Sequence, residues 1–469
     1  MKKMISMTAS ATSPSKLAMA RMSTATLAAL AAFTGMVLSA SAFASENVPA
    51  PAQKVPLVLK GATIHTVSQG EIPNGQILIE KGRITAIGST VNIPANAKVV
   101  DVAGKHIYPG MIAANTVIGL AEVQSVRATA DFAEAGAINP NARAIVAVNP
   151  DSELIPVTRV NGVLAALSVP SAGPAGMING TSSLVQLDGW TWEDMTVQAE
   201  VGLHISVPFM RFNPELFPAP LDSRLEEMRK SSMQRVKMLE DAFDSAIAYR
   251  DARANKDGTQ IDVRWEAMLP VLAGKRPVFM HAQDAAQIRY ALNFAQRYQL
   301  KLVIVGGMDT PLFADTLRAR EVPVVITGIH KLPQRRGAEY DEAYRLASKL
   351  SQAGVRFCIA RGGADDDAHN ERNLPYEAAV AVSFGLDPNE ALKAVTLYPA
   401  QILGVADKLG SIEVGKFANL FVSDGNPMET MTKIEQVFIQ GRPVDLSTKQ
   451  SRLTEKYQQR YLQKKGMVE

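Results

Sequence analysis

Apolar and polar positions change period along this chain. Near its N-terminal end, "LVLKGATIHTV", "GQILIEKGRITAIG" and "AKVVDVAGKHIYPG" are short alternating runs bounded by Gly, Pro or Asn. Alternation with a period of two predicts half-buried strands of a small antiparallel sheet. A matching set returns near the other end, "GSIEVGKFANLFVSDG" followed by "IEQVFIQGRPV". Two strand-rich pieces at opposite ends predict one β-sandwich assembled from both termini, with the middle of the chain inserted into it.

The middle follows another rule. "GVLAALSVP", "RPVFMH", "KLVIVGG", "VPVVITG" and "VRFCIAR" are nearly continuous in apolar residues. Strands of a parallel sheet covered on both faces read this way. Helical patterns lie between them, such as "QDAAQIRYALNFAQRYQ" and "DEAYRLASKLSQAG", the second ending in Gly as a helix stop should. Strand and helix alternating at this spacing predict an α/β fold, a TIM-like (β/α)8 barrel. The charged stretch Leu221 to Arg253 predicts a helical excursion packed on the barrel. The expected organisation is a leader over 1–44, a linker over 45–55, sandwich over 56–108, barrel over 109–405, sandwich again over 406–447, and a polar tail helix over 448–469.

A chain of 469 residues has room for a barrel and an accessory domain. Its formal charge of +3 gives no reason to expect nucleic acid. The leader places Lys2, Lys3, Lys16 and Arg21 before the apolar run "TLAALAAFTGMVLSASAFA", which exits through Ala42-Phe43-Ala44. Basic head, apolar middle and small-residue exit predict a secretory signal and a periplasmic protein, with no membrane partner once the signal is removed. The single cysteine, Cys358, can form no internal disulfide, and inside "VRFCIA" it reads as a small core hydrophobe. No GxxxxGK[ST], GxGxxG or GxSxG spacing supports phosphate binding or an α/β serine hydrolase.

Specific stretches resemble the amidohydrolase superfamily, nearest to its imidazolonepropionase-like members. "LVLKGATIHTV…GQILIEKGRITAIG" is similar to that family's sandwich, and "VVDVAGKHIYPGMI" to its crossing into barrel strand one. "NLPYEAAVAVSFGLDPNEALKAVTLYPAQILGVADKLGSIEVGKFANLFVSDGNP" resembles its exit from the barrel. The resemblance implies hydrolysis of a carbon–nitrogen bond by metal-bound water at the C-terminal mouth of the barrel. It also implies two histidines at the end of strand one, one histidine each on strands five and six, and an aspartate after strand eight.

Set on this sequence, that pattern is mostly absent. The strand-one pair falls on Asn115 and Val117, strand six ends at Gly306 or Gly307, and strand eight at Arg361 or Gly362. Only the strand-five histidine remains, as His281. Valine cannot bind zinc, and an Asn amide oxygen is a poor ligand for it. A relocated site would draw on His281, His330 and Asp365, all expected at the same mouth, with Asp309, Asp366, Asp367 and His369 nearby.

The cofactor expectation is therefore one divalent metal, zinc first, or none. Arg361 is a candidate clamp for a ligand carboxylate and Asn115 a polar contact beside it. Two functions stay open: a hydrolase of small amides or cyclic amides with a remodelled site, and an inactive barrel that binds a small ligand or a partner. Such a barrel could be a homo-oligomer or pair with an active homologue. His65, His106 and His204 read as structural histidines, and Trp190 and Trp192 as packing.

Overall fold

The computed structural model describes residues 47–123, 126–173, 176–210, 221–255 and 260–465. The chain from Ser45 to Glu469 forms one compact unit by itself. The expected leader over 1–44 lies outside the described residues.

Strands are numbered along the chain. The first five are β1 (Leu57–His65), β2 (Glu71–Glu80), β3 (Arg83–Gly88), β4 (Lys98–Asp101) and β5 (His106–Pro109). Barrel strands follow: β6 (Met111–Thr116), β7 (Val163–Ser168), β8 (Ile178–Thr181), β9 (Ser183–Gln186), β10 (Thr196–Gln198) and β11 (Leu203–Ser206). Then come β12 (Val278–Ala282), β13 (Leu302–Gly306), β14 (Val324–Thr327) and β15 (Phe357–Ala360). The chain closes with β16 (Leu420–Ser423), β17 (Ile434–Ile439) and β18 (Arg442–Val444).

The two strand-rich ends meet in one eight-stranded sheet ordered β18-β17-β16-β5-β1-β2-β3, with β4 beside β1. Alternate burial along β1 and β2 puts Leu59, Ile64, Ile77 and Ile79 in a shared core with Leu420 and Val422. In the barrel, β6, β7, β13, β14 and β15 are buried at every position, which is why their sequences lack alternation. β11 to β15 pair in parallel, in chain order.

Two strands depart from the expected βα alternation. β8 and β9 run on either side of Ser182, antiparallel to β11 and to β7 respectively. The connection from β7 spans only residues 169–177, and a parallel crossover needs a dozen residues or more, so the chain turns back directly. The barrel is thus an α/β barrel with one reversed wall.

Its seam differs as well. β6 lies against β14 and β15 with no hydrogen-bonded ladder between β6 and β15 among the described residues. Polar side chains bridge that seam instead, as described below.

The helix Leu221–Ala254 is the expected excursion. Its Leu239, Ala242, Phe243 and Ala246 are buried, and Phe243 meets Phe294 edge-on at 4.8 Å between ring centroids. Phe294 belongs to the helix Ala285–Arg297, whose start is fixed by a capping box between Asp284 and Gln287. The Gln287 side chain also donates to the Val207 carbonyl at 2.9 Å, tying the loop after β11 to the helix after β12.

Candidate functional site at the barrel mouth

Two polar systems occupy the C-terminal ends of the barrel strands. The first lies at the seam. Glu377, on the helix Leu374–Ser383, is only 1% exposed. Its Oε2 accepts the backbone N–H groups of Ile329 at 2.5 Å and His330 at 3.1 Å. Its Oε1 accepts from Arg361 and pairs with His330 Nδ1 at 3.1 Å. Arg361 reaches Asp367 with its other terminal nitrogen, and the second Asp367 oxygen takes the Gly362 N–H at 2.8 Å. Asn115 donates through Nδ2 to the Arg361 and Gly362 carbonyls, at 3.3 and 3.1 Å, and so closes β6 onto the end of β15.

Next to this network lies Glu371, fully buried, with the Thr116 hydroxyl as its hydrogen-bonding neighbour. Burial pushes its carboxyl well above the usual carboxylate range. On the open side, Lys331 holds the Thr327 hydroxyl at 3.0 Å, and Gln283 donates to the same hydroxyl at 3.3 Å. Burial lowers the Lys331 amine below its ordinary value, while Glu377 and Asp367 act in the opposite direction.

The second system lies across the mouth. His204 Nδ1 and His281 Nε2 are 3.0 Å apart, and the His204 ring stacks on Phe279 at 4.7 Å. Burial lowers both imidazoles, His281 to about 4, and His204 is lowered further by facing His281. Both rings are therefore neutral near pH 7. His281 also lines a cavity of about 490 Å³ together with Ser206, Arg235, Gln283 and Gln287. Arg235 donates to the Gly176 carbonyl at 3.1 Å, while the buried Asn179 side-chain oxygen has no partner.

The three candidate metal ligands do not come together. His281 spends Nε2 on His204, His330 spends Nδ1 on Glu377, and Asp365 accepts only from the neighbouring Asp366 N–H. Among the described residues no group of three or more His, Cys, Asp or Glu is arranged to hold a metal ion. With Asn115 and Val117 on strand one, glycines after strand six and Arg361 after strand eight, these residues do not fit the divalent ion of the family pattern.

Arg361 and Asn115 also stand differently from the expected substrate contacts. Both terminal guanidinium nitrogens already face carboxylates, and the Asn115 amide is spent on the seam. Asp309 is gripped by Arg335 at 3.1 Å and accepts the Ala285 N–H at 2.9 Å. Asp366 and His369 are exposed in the loop. His65 and His106 pair at 2.9 Å within the terminal sheet, and His65 meets Glu71 at 3.0 Å. Cys358 is buried, and burial pushes its thiol up. Trp192 packs against the core, while Trp190 is 63% exposed.

Sequence reasoning missed Glu377, Glu371, Lys331, Gln283 and Arg235. One signal was present: Glu377 is the lone acid in the apolar run "PYEAAVAV". An acid inside such a run needs buried partners.

The comparisons agree with this architecture. An amidohydrolase from Thermotoga maritima MSB8 superposes with a TM-score of 0.72 at 27% identity, covering 83% of this chain and 99% of that one. The Amidohydrolase family model matches residues 336–444, which carry the seam from Arg361 to Glu377. The chain carries an amidohydrolase-family domain.

The imidazolonepropionase of Fusobacterium nucleatum is 24% identical over 394 residues, covering 76% of this chain and 86% of that protein. Amidohydrolase tasK of Hapsidospora irregularis is 22% identical over 408 residues, 78% of this chain. The chain spans only 39% of that relative's length.

Proposed function

We propose that this amidohydrolase-superfamily protein is an exported, periplasmic hydrolase of the C–N bond in a small amide or cyclic amide. Its chemistry is carried by the histidine and lysine that follow β14. The observation that carries this reading is the His330–Glu377 dyad. A buried carboxylate holds Nδ1, and the ring is 51% exposed at the barrel mouth. A carboxylate on one imidazole nitrogen fixes the tautomer and leaves the other nitrogen to act as a general base.

In this scheme His330 takes a proton from a water as its oxygen bonds to the carbonyl carbon. Lys331, partly desolvated and anchored on Thr327, donates a hydrogen bond to the oxygen where negative charge develops. The imidazolium then returns the proton to the leaving nitrogen as the C–N bond breaks. The cavity beside Gln283 is large enough for a small cyclic amide, with Arg235 and Ser206 on its wall. No step is routed through a metal. Export is supported by the basic head, apolar run and Ala42-Phe43-Ala44 exit of the leader.

The test is hydrolysis of simple and five-membered cyclic amides by the wild type, His330→Ala and His330→Gln. The expected loss in kcat/KM is at least about 100-fold in both variants. Unchanged turnover in His330→Ala would remove the dyad from the chemistry. A second reading, a barrel that binds such ligands without turnover, is favoured by the unformed metal set. It predicts ligand binding by calorimetry that Arg235→Ala weakens, with no product formed.

A further inference from the structure

The helix Lys449–Lys464 lies near the C-terminal end of the described residues. It has no buried residue, although a capping box between Thr448 and Ser451 starts it. A helix of this length is marginal in water without packing. Its half-buried positions, Ser451, Arg452 and Leu462, mark the side turned toward the body. Roughly opposite them, Leu453, Tyr457 and Tyr461 are 42%, 48% and 59% exposed. Spaced four apart, these three form one continuous stripe.

Charge on the helix is one-sided. Lys449, Arg452, Lys456, Arg460 and Lys464 stand against a single acid, Glu455. Lys449, Lys456, Arg460 and Lys464 sit three or four positions from stripe residues and so border it. Glu455 is two positions from both Leu453 and Tyr457 and faces away. A basic edge along a Leu/Tyr stripe suits the interface of an anionic bilayer, where amphipathic rings rest at headgroup level. A second copy of the same helix would bring cation against cation.

Asn47, the first described residue, donates to the Ser447 carbonyl at 2.9 Å and accepts from Arg452 at 3.1 Å. Asn47 therefore ties the N-terminal end of the described residues to the first turn of this helix. Among the described residues no helix is long and apolar enough to cross a membrane, so the contact would be peripheral.

We propose that the helix Lys449–Lys464 docks the protein on an anionic phospholipid surface through Leu453, Tyr457 and Tyr461. This differs from the expectation of no membrane partner, which weighed only spanning segments.

The test uses the compact unit Ser45–Glu469, which lacks the apolar leader that would bind lipid by itself. It is sedimented with phosphatidylcholine vesicles with and without phosphatidylglycerol. Binding should require phosphatidylglycerol and weaken as salt is raised. It should fall about tenfold or more in Tyr457→Glu/Tyr461→Glu, two changes at exposed positions, with the thermal midpoint unchanged. No sedimentation with anionic vesicles would overturn the proposal, as would equal sedimentation of the double variant. A dimer seen by sedimentation velocity, broken by the same variant and indifferent to lipid, would also overturn it and make the stripe a self-interface.

Discussion

The seam between β6 and β15 and the cavity side by β11 and β12 are both polar and both buried, yet they are built on opposite principles. At the seam, charged groups answer one another: one carboxylate, Glu377, receives an arginine, an imidazole and two backbone N–H groups. On the cavity side two neutral imidazoles share one short contact, and His204 Nε2 and the Asn179 oxygen are left without partners. The difference teaches what each side supplies: the seam fixes the His330 ring on a buried carboxylate, and the cavity side supplies the open volume. Paired charge locks a barrel edge that has no ladder, whereas His281, Ser206 and Arg235 line an open volume that a small molecule can use.

Removing the hub should have the largest effect. Glu377→Ala strands Arg361, His330 and two N–H groups, and should cost about 3–5 kcal/mol in denaturant unfolding. A cost below about 1 kcal/mol would erase the contrast between the two sides.

Next in size is the acid response of the cavity side. Folding holds the His204 and His281 imidazoles deprotonated, His281 down to about 4, whereas the unfolded chain takes up protons below 6.5. The folded state thus binds fewer protons in that window. Its stability should be full above pH 6.5 and decline as pH falls toward 4. A His204→Gln/His281→Gln variant should flatten the decline in a pH series of thermal midpoints.

Glu371 should act with the opposite sign. Its raised carboxyl keeps a proton in the folded state that the unfolded chain loses above pH 4.5, so this group's contribution weakens as pH rises. Glu371→Gln should therefore raise the thermal midpoint at neutral pH and leave it nearly unchanged in acid. The smallest effect is expected from Asn115→Ala, about 1–2 kcal/mol for two hydrogen bonds across the seam. It should leave KM for any amide substrate unaltered, and a raised KM would move Asn115 to the ligand side.

The architecture was largely legible because hydrophobic period is a local property. Alternation in "GQILIEKGRITAIG" and its absence in "VPVVITG" marked sandwich and barrel strands without reference to anything distant. The reversed wall at β8 and β9 was not legible, because strand direction depends on what the short connection after β7 can span. The lost strand-one histidines were equally plain from Asn115 and Val117. The use of the remaining site residues was not. His281 and His330 look like two ligands of one metal in the sequence, but each has turned to a different partner, His204 and Glu377.

The sequence by itself determined the two periodicities, the split of the terminal sheet around the barrel, the missing family ligands and the polar tail helix. Each of these is written in neighbouring residues. Only the tertiary structure decided that Arg361 is spent on Glu377 and Asp367, that Asn115 closes the seam, and that His330 stands on a buried carboxylate with its ring toward solvent. The physical reason is that a charged side chain takes its role from whatever desolvates and answers it. For Arg361 and Glu377 that answer comes from 16 positions away, and for Asn115 from 247 positions away at Gly362.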